Sequence, residues 1–153
     1  KDSAFKRWPL ERYADLIRKI KEGSMGSVII VWGPGEREEA HRLTAMAGEG
    51  VELACQTDIA QLYALLAQCS VYIGGDTGTT HLASAAQIPV ISLFGPTDFV
   101  VNRPYSRKSV IIRKDVPCSP CKNKNCKTRE CLMNISVDEV FEAINKINFE
   151  NEA

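Results

Sequence analysis

The sequence has no apolar run long enough to cross a membrane; its strongest, Val28 to Trp32, is far short of the roughly 18 residues a spanning helix needs. It carries no net charge, since 19 basic residues balance 19 acidic ones, and this excludes global charge as a basis for nucleic-acid binding. It has no internal repeat, no low-complexity tract and no sustained period, which excludes solenoids, collagen and coiled coils. It has neither a GxGxxG fingerprint nor a P-loop. It opens Lys1-Asp2-Ser3 with no initiator Met and no charged-then-apolar leader, and so reads as a piece of something longer. What is present is 153 residues, 44% hydrophobic and 25% charged: too apolar for disorder, and enough for one domain around one core.

Hydrophobic periodicity predicts alternating helices and strands. Leu10, Tyr13, Ala14, Ile17 and Ile20 recur at helical spacing behind Trp8-Pro9, with Pro at a tolerated first-turn position. Val28 to Trp32 has the composition of a central strand buried on both faces. Glu36 to Met46 reads as a helix and Val51 to Leu53 as a short strand. Asp58 caps a helix whose core face is Ile59, Leu62, Tyr63 and Leu66. Strand Val71 to Ile73, helix Thr79 to Ala86 and strands Val90 to Phe94 and Val110 to Ile112 follow, and Ser136 caps a last helix carrying Val137, Val140, Phe141, Ile144 and Ile147. Strands separated by helices indicate an α/β fold, with a parallel sheet covered on both faces and ligands bound at the carboxyl ends of the strands.

Three glycine turns lie at such ends: Gly33 to Glu36, Gly74 to Gly78 and Gly95 to Asp98. The second is the most informative, because glycines let a ligand approach the backbone and the helix that follows offers unpaired N–H groups to a phosphate. The plainer alternative makes Asp76 or Thr77 a helix cap. Lys6 is either a solvated surface charge or a point charge reaching those phosphates. Glu36 is a helix-dipole acid or a ribose ligand. For His81 the sequence names no partner.

Read in order, Lys6-Arg7-Trp8-Pro9, Gly33-Pro34-Gly35-Glu36, Gly75-Asp76-Thr77-Gly78-Thr79-Thr80-His81-Leu82 and Leu93-Phe94-Gly95-Pro96-Thr97-Asp98 resemble the heptosyltransferases of glycosyltransferase family 9, which build the inner core of lipopolysaccharide. The tail Cys131-Leu132-Met133-Asn134-Ile135 is similar to many members as well. The resemblance implies a Rossmann-like three-layer sandwich with a mainly parallel sheet, the C-terminal half of a GT-B glycosyltransferase. Residues 1–153 would form the nucleotide-sugar-binding domain, with a body at 1–117, a cysteine loop at 118–131 and a terminal helix at 136–148; the N-terminal acceptor domain is absent. The donor implied is ADP-L-glycero-D-manno-heptose, and the acceptor is the lipid A–Kdo inner core. By resemblance Lys6 contacts the diphosphate, Glu36 the ribose and Thr57 the adenine. Thr77, Gly78, Thr80 and His81 line the phosphate site, and Asp76 lies near the sugar. Such enzymes invert the anomeric centre without a required metal, and their general base is an aspartate of the missing half. No catalytic residue is therefore expected in this chain, and none of its activity when isolated. Thr79-Thr80 stands where many members carry a bulkier or apolar pair. Two other readings remain: a GT-B transferase using another nucleotide sugar, and a non-catalytic nucleotide-binding module.

Cys118-x2-Cys121-x4-Cys126-x4-Cys131 leaves three states open, namely a structural zinc, two disulfides, or free thiols, with Lys122, Lys124 and Lys127 offsetting thiolate charge. Cys55 and Cys69 read as small buried hydrophobes. From Arg103 to Cys131 nine Lys or Arg face only Asp115 and Glu130. A basic stretch of this kind suits weak attachment to an anionic membrane surface, and the expected location is cytoplasmic, peripheral at the inner membrane.

Overall fold

The structure, a computed structural model, describes residues 4–121 and 123–151. Lys122, one of the lysines assigned to the cysteine loop, lies outside them.

A 3-10 turn, Ala4–Lys6, leads into α1 (Leu10–Glu22), which Pro9 precedes at the cap position. Helix α2 (Arg37–Ala47) connects β1 (Val28–Ile30) to β2 (Val51–Leu53). Helix α3 (Ile59–Leu66) starts at a capping box, in which Asp58 accepts from the Gln61 N–H while the Gln61 side chain accepts from the Asp58 N–H. Then come β3 (Tyr72–Gly75), α4 (Gly78–Ala85), β4 (Val90–Phe94), the one-turn helix α5 (Phe99–Asn102), β5 (Ser109–Arg113), the short α6 (Glu130–Met133) and α7 (Val137–Asn151). A second reciprocal cap, Ser136 with Glu139, starts α7.

All strand pairs are parallel. They form two ladders, β1-β2 and β3-β4-β5, with Val28 opposite Val51 in the first and Ile91 opposite Ile73 and Val110 in the second. Strand β4 is the central one, buried along its whole length. Its side chains split between two cores, as a period of two requires. Ile91 and Leu93 join Trp8, Leu16, Leu132, Ile135, Val140 and Ile144 on one face, while Val90 joins Leu66, Ala83 and Ile88 on the other. A third cluster packs Ala14 and Ile17 of α1 and Ala40, Leu43 and Ala47 of α2 against Ile30 and Val51. Helices thus cover both faces of the larger ladder, and the α/β three-layer expectation holds.

Three sequence expectations fail, each for want of a covering layer. β1 is not buried on both faces, because Ile29 is exposed and belongs to no core cluster. On α3 only Leu66 is buried, while Ile59 and Tyr63 face solvent. Cys55 lies exposed in the loop after β2 and Cys69 is half-buried, donating to the Leu65 carbonyl. Three short elements are new: the 3-10 turn Ala4–Lys6, α6 at the end of the cysteine loop, and α5, which Asp98 starts by capping the Val100 N–H where only a turn was expected. No helix among the described residues is long and apolar enough to cross a membrane.

Candidate functional site

Helix α4 begins at the carboxyl end of β3, and its N-terminus is left open. Thr77, at the cap position, makes no side-chain cap bond, in contrast to Asp58 on α3 and Ser136 on α7. The first-turn N–H groups of α4 and its positive dipole end therefore remain available to an anion.

The glycines of this turn serve different ends. A Cβ at Gly74 would run into the ring of Tyr72, with Cζ 2.8 Å away, so this glycine makes room for an aromatic side chain two residues earlier on the same face. A Cβ at Gly75 would press on the Lys6 carbonyl at 3.2 Å, so this one lets the N-terminal segment approach β3. At Gly78 a Cβ would meet nothing within 4 Å. Of the three, Gly78 is the one that faces open space at the helix start.

Lys6 comes to this turn from 70 residues away, its Nζ 3.3 Å from Asp76 Oδ2. The Asp76 side chain is largely buried and that of Lys6 about one-third exposed, so the pair holds an ammonium beside the helix N-terminus. Asp76 Oδ1 also lies 3.9 Å from His81 Nε2, an electrostatic neighbour too distant for a hydrogen bond. Thr80 is turned inward, donating to the Gly75 carbonyl, with Thr77 Oγ1 3.3 Å from its hydroxyl. Beneath the turn lies the Tyr72 phenol, which burial pushes up and which the Thr80, Thr77 and Thr79 side chains pull partly back. The sequence reading missed Tyr72; a tyrosine two positions before a glycine on one strand was the available signal.

Glu36 stands on the neighbouring turn. Its carboxylate accepts from the Gly33 N–H at 2.9 Å and from Arg7 NH2 at 2.7 Å, and Arg7 also pairs with Glu39. Arg7 thus ties the segment bearing Lys6 to α2, a role its position in the sequence does not disclose. Next to Glu36 a cavity of about 430 Å³ opens between Trp32, Arg37, His41 and the Leu53–Gln56 loop, with the Arg37 guanidinium 6.0 Å from the Trp32 ring. Thr57 follows this loop, half-buried, and no described contact engages it with the other candidate residues. The structure therefore gathers Lys6, Asp76, Thr77, Gly78, Thr80 and His81 at one helix start, sets Glu36 and the cavity at the adjacent strand ends, and leaves Thr57 one residue beyond the cavity lining.

The cysteine loop is apart from these. Cys131 is buried, Cys118 exposed, and Cys121 and Cys126 in between. Cys126 accepts from the Arg129 N–H at 3.4 Å; that bond and the Thr128 hydroxyl draw its thiol below the ordinary range. Burial pushes the Cys131 thiol up, and Cys118 and Cys126 add to that by their charge. Among the described residues no three His, Cys, Asp or Glu side chains converge as a metal cage would require. Zinc would thus have to draw the loop around itself. Metal analysis of the reduced protein separates the three states: near-stoichiometric zinc with stability lost on chelation assigns the metal, four titratable thiols the free state, and thiols lost without metal the two disulfides.

The family model for glycosyltransferase family 9 (heptosyltransferase) matches residues 1–132. The chain is 36% identical over 122 residues to lipopolysaccharide heptosyltransferase 1 of Pseudomonas aeruginosa, covering 79% of this chain and 34% of that protein. Its fold superposes on E. coli ADP-heptose lps heptosyltransferase II with a TM-score of 0.79 and 24% identity, over 97% of this chain and 44% of that one. On E. coli heptosyltransferase WaaC with ADP the TM-score is 0.76 at 23% identity, over 96% of this chain and 42% of that one. The chain thus spans between a third and a half of the length of the proteins it matches.

Proposed function

The chain belongs to glycosyltransferase family 9, and from that premise we propose that it is the donor-binding half of a GT-B heptosyltransferase. In this reading it holds ADP-L-glycero-D-manno-heptose while an N-terminal half brings the lipid A–Kdo inner-core acceptor. The observation that carries the proposal is the uncapped start of α4, open at Gly78, with the Lys6 ammonium fixed beside it by Asp76. An ADP-bound structure among the similar folds supports the choice of nucleotide.

The chemistry of sugar transfer from a nucleotide donor asks one thing of this half: to stabilise charge as the sugar–phosphate bond breaks and ADP leaves. Backbone N–H groups at the start of α4, its dipole and Lys6 are pre-aimed donors and positive charge for that diphosphate. Asp76 and Arg7 position the segment, the first by pairing Lys6 and the second by clamping it to Glu36 and Glu39. Glu36 is the acid presented toward the ribose hydroxyls, and the cavity lined by Trp32, Arg37 and His41 receives the base. Neither carboxylate is free to deprotonate an acceptor: Asp76 is held by Lys6 and Glu36 by Arg7 and Gly33. General-base catalysis, worth about 10²–10⁴-fold, is assigned to the other half. The transfer needs no metal in this scheme, since cationic side chain and helix dipole take the role of a metal clamp.

Calorimetric titration with ADP, UDP and the heptose donor tests the reading. ADP is expected to bind, and Lys6→Ala to raise its dissociation constant by about 5- to 150-fold, the equivalent of one lost charge-assisted bond. A constant unchanged at low salt would remove Lys6 from the site. Tighter binding of UDP than of ADP would favour a different nucleotide sugar.

A further inference from the structure

The crossover from β4 to β5 carries a surface that the donor site does not use. Val100 and Val101 on α5 are 65% and 77% exposed and Tyr105 is fully exposed, three large apolar side chains within six residues. Arg103, Arg107 and Lys108 are exposed among them, and no acid occurs between Phe99 and Ile112. The segment is held firmly in this orientation. Asp98 accepts from the Val100 N–H at 2.9 Å, the Asn102 side chain donates to the Asp98 carbonyl at 2.8 Å, and Pro104 is buried between exposed Arg103 and Tyr105. Beneath it the Arg113 guanidinium sits 4.3 Å from the Phe99 ring.

The structure also sorts the charges of the basic stretch. Arg113 pairs with Asp115 and Lys114 with Glu139, and both are neutralised locally. Among the described residues no ion pair engages Arg103, Arg107 or Lys108. Part of the excess positive charge thus falls on the segment that displays the apolar side chains, while the exposed Lys124 and Lys127 of the cysteine loop carry more of it.

We propose that residues 100–108 form a docking patch for an anionic lipid surface, with Val100, Val101 and Tyr105 entering the headgroup layer and Arg103, Arg107 and Lys108 contacting lipid phosphates. Isolated exposed valines are common on soluble proteins and need no partner. Here apolar and aromatic side chains are interleaved with unpaired cations, the combination that lipid interfaces reward: the tyrosine ring suits the headgroup depth and each cation adds attraction to an anionic leaflet. A protein partner would need acids to match the three cations, whereas an anionic leaflet supplies them everywhere. The inference stands independently of the donor reading, because none of these residues belongs to the α4 site.

The test is co-sedimentation of the chain with vesicles of phosphatidylcholine alone and of phosphatidylcholine with one-third phosphatidylglycerol. Partitioning is expected only onto the mixed vesicles and is expected to fade as salt shortens the screening length below about 8 Å. Arg103→Glu with Arg107→Glu should lower partitioning at least about tenfold, two cations' share, and Val100→Ser with Val101→Ser should lower it severalfold at constant charge. Both pairs are solvent-exposed, so melting temperature and ADP affinity serve as controls and should stay at wild-type values. Equal binding to neutral vesicles, or wild-type partitioning by both variants, overturns the proposal. So does a chain that ignores vesicles but self-associates until Val100 and Val101 are replaced, which would assign the patch to a protein contact.

Discussion

Valine at position 78 is expected to weaken ADP binding more than tenfold while moving the melting temperature by no more than about 2–4 °C. The backbone there lies outside the left-handed region, and a Cβ would meet nothing within 4 Å. The fold therefore accepts a side chain, and valine is a slightly better helix former than glycine. The γ-methyls would occupy the space above the first-turn N–H groups, where a phosphate has to sit. Gly95 offers the contrast. A Cβ there would lie 2.5 Å from Cγ of the fully buried Leu132, so Gly95→Ala should destabilise the fold by about 1–3 kcal/mol through overpacking. Paired calorimetry and thermal melts separate the two cases; a Gly78→Val protein that binds ADP normally but melts early would reduce Gly78 to a turn residue.

Trp8→Ala should lower unfolding free energy by about 3–5 kcal/mol, a large share of the 5–15 kcal/mol typical of a domain. Trp8 is 2% exposed and lies edge-on to Tyr13 at 5.0 Å between ring centres. Its indole N–H donates to the Ile135 carbonyl at 3.1 Å. Removal leaves a cavity in the main core, and the same carbonyl keeps only the Arg12 guanidinium at 2.9 Å. Trp8→Phe should cost less, since it keeps a ring and loses the donor. Urea titrations measure both; a loss under about 1 kcal/mol for the alanine variant would mean that the core closes over the gap. ADP affinity of the alanine variant should fall too, because Trp8 anchors the segment that presents Lys6.

Most of the element order was legible, because strand and helix periodicities are local and glycine turns punctuate them. What periodicity does not convey is whether an apolar face is covered. Ile59 and Tyr63 lie one helical turn apart, the spacing of a core stripe, yet nothing packs over them. Val28 to Trp32 has a buried strand's composition, yet no helix covers Ile29. At the site, Gly78 and Lys6 could be singled out from their places beside a helix start. The work of Gly74 and Gly75 could not, since it depends on where the Tyr72 ring and the Lys6 carbonyl come to rest. Arg7 with Glu36, 29 residues apart, and Lys6 with Asp76 are pairings of tertiary origin. Adjacent residues in the sequence carry no trace of them.

The Ile135 carbonyl, gripped by Trp8 and Arg12 across more than 120 residues, also sets an order of events in time. A ribosome makes Trp8 well before Ile135, so the Trp8 core stays incomplete until Ile135 and the start of α7 have been synthesised and released. Local helices form far sooner than such a closure, whose loop entropy must be met before its contacts repay it. The segment bearing Lys6 therefore waits for its anchor until Ile135 has emerged, and the proposed nucleotide site is completed only after every strand of the sheet has been made.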